Sequence, residues 1–218
     1  AMRFPLAFLA GVVLALGRGA LPAADLVVPV VLDVRSGSAH YRTELTLTNR
    51  GTAPVNLALT YRGSIGAGSG IATESLPAGT QRTIADVVGF LAARGVLFPS
   101  LPEGAPHAGT LRITVPDASA AALSAVARTT SPTSAPHPAG AAGLAYLAVS
   151  SSASFTGRAV VHGLRSTGSD RSNLAVFNPG TAPVTVRVVA ASGAGDGLEV
   201  VLADALRLEA GEWRQFDG

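Results

Sequence analysis

No cysteine occurs in the 218-residue chain, which excludes disulfide staples, thiolate metal centres and cysteine nucleophiles together. Stability must come from packing and strand pairing. Lysine is absent too: all sixteen basic residues are arginine, a bias that suits GC-rich coding better than phosphate recognition. The arginines stand singly among the acids, with no basic stripe interleaved with aromatics, so a nucleic-acid partner is excluded. Charged residues make up only 14% and aromatics 5%. The surface is therefore unusually neutral, and the core must be built from Ala, Val and Leu, which suit a thin sandwich. The longest apolar stretch, Phe4 to Leu16, covers thirteen residues. That is short of the roughly 20 needed to cross a bilayer, and no stable transmembrane span is expected.

What is present is enough to fold. Hydrophobic residues reach 48%, which can offset the conformational entropy of ordering the chain. The first segment reads as an address. Met2 and Arg3 precede the apolar run, and small residues from Ala20 to Ala24 follow it, the layout of a secretory signal cleaved after Ala23 or Ala24. Removing residues 1–24 takes away Arg3 and Arg18 and leaves fourteen arginines against fourteen acids. The expected organisation is a signal segment over 1–24, a first β-sandwich over 25–149, and a linker strand with a partial second sandwich over 150–218.

An internal duplication carries the fold assignment. Arg42–Leu59, RTELTLTNRGTAPVNLAL, aligns without a gap on Arg171–Val188, RSNLAVFNPGTAPVTVRV, at an offset of 129, with eight of eighteen positions identical. Arg42, Asn49, Gly51 and Pro54 thus correspond to Arg171, Asn178, Gly180 and Pro183. Further on, Leu76-Pro77-Ala78-Gly79 matches Leu208-Glu209-Ala210-Gly211 at an offset of 132. Leu45, Leu47, Val55, Leu57 and Leu59 alternate with polar or small residues, as do Leu174, Val176, Val184, Val186 and Val188. Each set is the buried face of a hairpin. Gly51 and Gly180 are expected to take positive φ in the intervening turns, and Pro54 and Pro183 to stop the ladder.

Further strands are expected at 27–34, 71–76, 80–84, 110–115, 123–130, 144–149 and 158–164, with a short helix within 84–94 ended by Gly95 and a mobile loop over 131–143. Both duplicated hairpins resemble those of tandem immunoglobulin-like β-sandwich modules of exported bacterial proteins. That resemblance implies an all-β, antiparallel fold and an exported setting, and it carries no catalytic residues to transfer.

The chemistry sought in the sequence is not marked. His40, His107, His137 and His162 lack metal-ligand spacing, and no G-x-S-x-G elbow occurs. Gly63–Gly70 has no following helix or lysine to make a phosphate cradle, and Gly193–Gly197 offers one carboxylate where calcium needs about six oxygens. Asp33, Glu44, Glu74, Asp86 and Glu103 could converge only through the fold. No catalytic, metal or cofactor site is therefore assigned. Arg42 and Arg171 are read as structural, bonding carbonyls at a sheet corner. The chain is expected to be a non-enzymatic extracytoplasmic structural or adhesive module at the cell surface, in the medium or in the periplasm. Its expected partners are copies of itself or another cell-surface protein, and a carbohydrate- or peptide-binding module is the alternative. The second copy lacks counterparts of the strands at 110–115 and 123–130. Either the missing part follows Gly218, or a strand from another subunit or from the N-terminal segment completes the copy.

Overall fold

Residues that alternate aliphatic with polar side chains become strands over most of the chain, and these build an all-β sandwich. The computed structural model describes residues 12–14, 25–99, 106–133, 139–167 and 172–216. It contains β1 (Val12–Leu14), β2 (Asp25–Ser36), β3 (Ala39–Asn49), β4 (Val55–Ile65), β5 (Ser69–Leu76), β6 (Gln81–Ile84), β7 (His107–Thr114), β8 (Leu123–Pro132), β9 (Ala141–Leu147) and β10 (Val149–Ser150). β11 (Leu174–Phe177), β12 (Val184–Ala191), β13 (Glu199–Leu208) and β14 (Trp213–Phe216) follow. The described residues divide into two compact units, a first module of residues 25–153 and a second of Val12–Leu14 with residues 154–216.

In the first module one sheet of order β5-β4-β7-β2-β3-β8-β9, with β6 on β3 and β10 on β2, folds back on itself as two layers. The bend lies in β2. Its first part pairs with β7 from Asp25 to Asp33, and its end pairs with β3 from Asp33 to Ser36. The ladder shifts register between Val28 and Val31, at Pro29, which has no N–H to offer a neighbour. Leu45 and Leu47 from one layer meet Leu57, Leu59, Leu111 and Ile113 from the other in one core. All six are at most 1% exposed, and burying each contributes roughly 1.5–3 kcal/mol. The expected helix is α1 (Val87–Ala92), capped by the Asp86 carboxylate accepting from Gly89 N at 3.0 Å, and it lays Val87, Val88 and Leu91 on this core.

The second module repeats the pairing of the first only in part. β11 pairs antiparallel with β14 as β3 does with β6, and β12 pairs with β13 as β4 does with β5. Val176 and Leu208 form its buried centre, with Val184, Val186, Val188, Leu206 and Phe216 only partly covered. On the edge of β11 that corresponds to the β8 side of β3, the strand present is β1, parallel, with Val13 opposite Val176. The N-terminal segment thus does supply a strand to the second copy. Among the described residues, β12 pairs with β13 alone.

Two expectations need correction. Residues 158–163 form no strand; their counterpart β2 is held by β7, and no described strand stands in that place here. The loop expected over 131–143 is shorter, because β8 continues to Pro132 and β9 begins at Ala141, while residues 134–138 lie outside the described residues. The proposed cleavage site also lies outside them.

Replacing Leu47, which is fully buried, by Asp places an unpaired charge between the layers and is expected to destabilise the first module by ~4 kcal/mol or more. Denaturant melts followed by circular dichroism check this; a transition of unchanged midpoint would refute the core assignment.

Candidate functional site

The duplicated polar residues meet at one place in each module. Asn49, fully buried at the end of β3, shares its amide hydrogens among Ala53 O at 2.8 Å, Leu76 O at 3.1 Å and Pro77 O at 3.0 Å. Its own Oδ1 accepts from Gly51 N at 2.9 Å. Asn178 repeats the set with Ala182 O at 2.9 Å, Leu208 O at 3.2 Å, Glu209 O at 3.1 Å and Gly180 N at 2.9 Å. The two halves of the repeat, N-x-G-x-A-P and L-x-A-G, are therefore the two sides of one clamp. Pro54 and Pro183 keep the preceding residue extended, with its carbonyl available to the amide.

The glycines act differently from expectation. Gly51 and Gly180 do not lie at positive φ, whereas Gly79 at +65° and Gly211 at +73° do. Gly51 is constrained by space: a Cβ there would meet Asn49 Oδ1 at 3.0 Å and Ala122 Cβ at 3.2 Å. The clamp presses the turn against the asparagine, and the left-handed residue sits on the opposite strand connection. Arg42 is exposed on β3 and makes no side-chain hydrogen bond or ion pair among the described residues, so the expected carbonyl contact is not seen. Arg171 lies outside the described residues.

Other polar groups are engaged in pairs. Glu74, with its side chain 6% exposed, accepts from Arg82 Nη1 at 2.6 Å and Arg94 Nη2 at 2.9 Å, and the Arg94 guanidinium lies 3.7 Å over the Phe90 ring. This clasp joins β5 to β6 and to the end of α1. Glu74 shares the inward phase of Ala72 and Leu76, where a carboxylate needs a partner, but which arginines supply it is set by the fold. Asp25 accepts from Arg112 Nη1 at 2.6 Å, and Asp86 caps α1.

The arrangement nearest to a nucleophile and base joins Asp33, His40 and Ser131. His40 Nε2 is 2.5 Å from Asp33 Oδ1, but Ser131 Oγ accepts from the His40 backbone N at 3.1 Å rather than meeting the ring. These contacts tie β2, β3 and β8 together and do not make the serine a nucleophile. Glu103 lies outside the described residues. No three His, Asp or Glu among the described residues are placed to hold a metal ion.

One buried polar pair was missed in the sequence. Phe98 packs against Tyr61 at 5.0 Å and edge-on against His107 at 5.3 Å, and both Tyr61 Oη and His107 Nδ1 are buried without a hydrogen-bond partner. Burial pushes the Tyr61 phenol well above its ordinary 10.0. Among the described residues no carboxylate or nucleophile is paired with either of them. An open groove of ~720 Å³ lies along β4, β5 and β7, lined by Asn56, Ala58, Thr73, Ser75 and Thr114. The exposed features are strand edges. Among the described residues β9 pairs only with β8, and its Leu144 and Leu147 are 56% and 72% exposed.

No protein family, curated protein or solved structure matches the chain.

Asn49→Ala and Asn178→Ala leave buried carbonyls unpaired and are each expected to cost roughly 2–4 kcal/mol, while Gly79→Ala costs about 1 kcal/mol through its positive φ. Chemical denaturation checks both; in the second module Trp213, 3% exposed and the only tryptophan, reports by fluorescence. Equal stability of Asn178→Ala and the parent would defeat the clamp.

Tyr61 supplies a pH test. Its phenol keeps its proton in the folded state above the pH at which the unfolded chain loses it, so this stabilisation is complete below pH 10.0 and declines as pH rises beyond it. Tyr61→Phe removes that dependence and, by deleting an unpartnered hydroxyl, should be neutral or stabilising by up to ~1 kcal/mol at neutral pH. Alkaline denaturation curves of the two proteins are the check, and superimposable curves would count against it.

Proposed function

We propose that the chain is an exported, non-catalytic structural or adhesive module of immunoglobulin-like type, which assembles at the cell surface through strand edges. The carrying observation is β9. Proteins guard free edges with charges, prolines or bulges, yet Ala141–Leu147 contains none of the first two. No Asp, Glu, Lys or Arg occurs between Arg128 and Arg158. An antiparallel pairing of this edge with another copy brings no like charges together and covers Leu144 and Leu147. The export reading rests on the charged start, short apolar core and small residues of the first segment, whose removal would also take β1 from β11. No described helix is long and apolar enough to cross a membrane.

The carbohydrate-binding alternative needs aromatic platforms. Tyr61 and Trp213 are 1% and 3% exposed and are spent on the two cores, which leaves Tyr41 as the exposed ring and Tyr146 half-covered. The structural reading is accordingly preferred.

Sedimentation velocity of the protein secreted from a bacterial host is expected to show concentration-dependent assembly, lost in Leu144→Lys/Leu147→Lys. A chain retained in the cytoplasm, or monomeric at every concentration, would sink the proposal.

A further inference from the structure

The residues of β1 have two uses. Val12–Leu14 lies within the apolar run Phe4 to Leu16, which reads as the core of a secretory leader, and in the folded chain it is a strand of the second module. It sets Val12, Val13 and Leu14 opposite Ala175, Val176 and Phe177 in parallel, which makes β11 the central strand of a three-stranded sheet with β14 on its other edge. Ala175, Val176 and Phe177 are 9%, 2% and 2% exposed. Without β1, β11 becomes an edge strand whose outward N–H and C=O groups lose their partners.

The first module supplies the comparison. There the corresponding edge belongs to β3, and β8 covers it from Arg42 opposite Thr130 to Asn49 opposite Leu123. The ladders of β2 to β10 are all made by residues from Asp25 onward, so none of them draws on the leader. Among the described residues, the second module alone takes a strand from it. The two uses of the segment also exclude each other, because an apolar stretch held in a bilayer or in a peptidase is not available to a ladder.

We infer that the N-terminal segment is a removable strand of the second module: it closes the β11 edge in the unprocessed chain, and its removal loosens β11 and β14 while leaving the first module intact. The Asn178 clamp and the β12–β13 ladder involve no residue of β1. They persist, and the change is centred on the three-stranded sheet. Loss of a strand by proteolysis is a one-way step, so processing would set the order and stability of this module once, after synthesis. The processing half of the inference rests on the export reading given above; closure of β11 by β1 does not.

The test compares the full chain with a chain beginning at Asp25, both produced without export, by hydrogen–deuterium exchange. In the shortened chain, amide exchange over 174–177 and 213–216 is expected to be roughly tenfold or more faster, with β3, β4 and β7 unchanged. Trp213, which stands opposite Phe177, is expected to become more accessible to acrylamide. Val12→Pro/Val13→Pro in the full chain should reproduce both effects, since one of two successive strand N–H groups faces the neighbour and proline has none. Unchanged exchange over 174–177 in both variants overturns the inference, as does equal loosening of both modules. The mass of the secreted protein judges the export reading separately. Loss of residues 1–24 with β11 exchange unaltered keeps the leader and discards the strand, whereas faster β11 exchange in the shortened chain with no cleavage of the secreted one keeps the strand and discards its removal.

Discussion

A single buried asparagine amide organises each module. It stands where one strand ends, and it must hold carbonyls from the turn that follows and from a second strand end about thirty residues away. A buried amide left unpaired is costly, and so are the carbonyls it faces, so the turn, the strand exit and the asparagine rotamer are determined together. The conformations of β3 to β6, and of β11 to β14, follow from that closure. The glycine beside the asparagine is small because the amide oxygen is pressed against it, and the later glycine is left-handed because the chain must turn back there.

Closure by the clamp does not by itself produce a sealed sandwich. In the first module β7 joins β4 to β2 and so connects two layers that otherwise share only the β2–β3 hairpin. The Glu74 clasp then fastens β5 and β6 at the other side through Arg82 and Arg94. Such a buried carboxylate is weak evidence for stability but fixes which edges meet, since losing both arginines would leave its charge uncompensated at a side chain 6% exposed. The second module has the same clamp and hairpins, and its valines remain half covered. The first module adds β7, β8 and α1 around the hairpin, and its valine and leucines are buried; the second has no described counterparts of β7 and α1.

The functional reading follows from where polarity is used. The described carboxylates Asp25, Asp33, Glu74 and Asp86 each serve a strand pair, a clasp or a cap, and the two most buried aromatic hydroxyl or indole side chains serve cores. Aliphatic side chains such as Leu144 and Leu147 on β9 and Val200 and Val201 on β13 also face outward, beside exposed ion pairs such as Arg187–Asp204. Among the described residues, β9 has no charged side chain and β12 pairs on one side only.

The all-β class, the duplication, the inward phase of Leu45 to Leu59 and the short helix were legible in the sequence, because period-two alternation and repeat spacing are local properties of the chain. Even the residues of the clamp were visible as Asn49, Gly51, Pro54 and their copies. Their purpose was not, since N-x-G-x-A-P and L-x-A-G lie far apart in sequence and reveal their relation only when the strand ends meet. The glycine assignment failed for the same reason: local turn preference favoured Gly51, while the nearby asparagine oxygen and the returning chain placed the positive φ at Gly79. Partner strands, the Glu74 clasp, the Tyr61–Phe98–His107 group and the open edge of β12 were decided by tertiary structure alone, because long-range pairing determines which of many similar alternating segments becomes a neighbour.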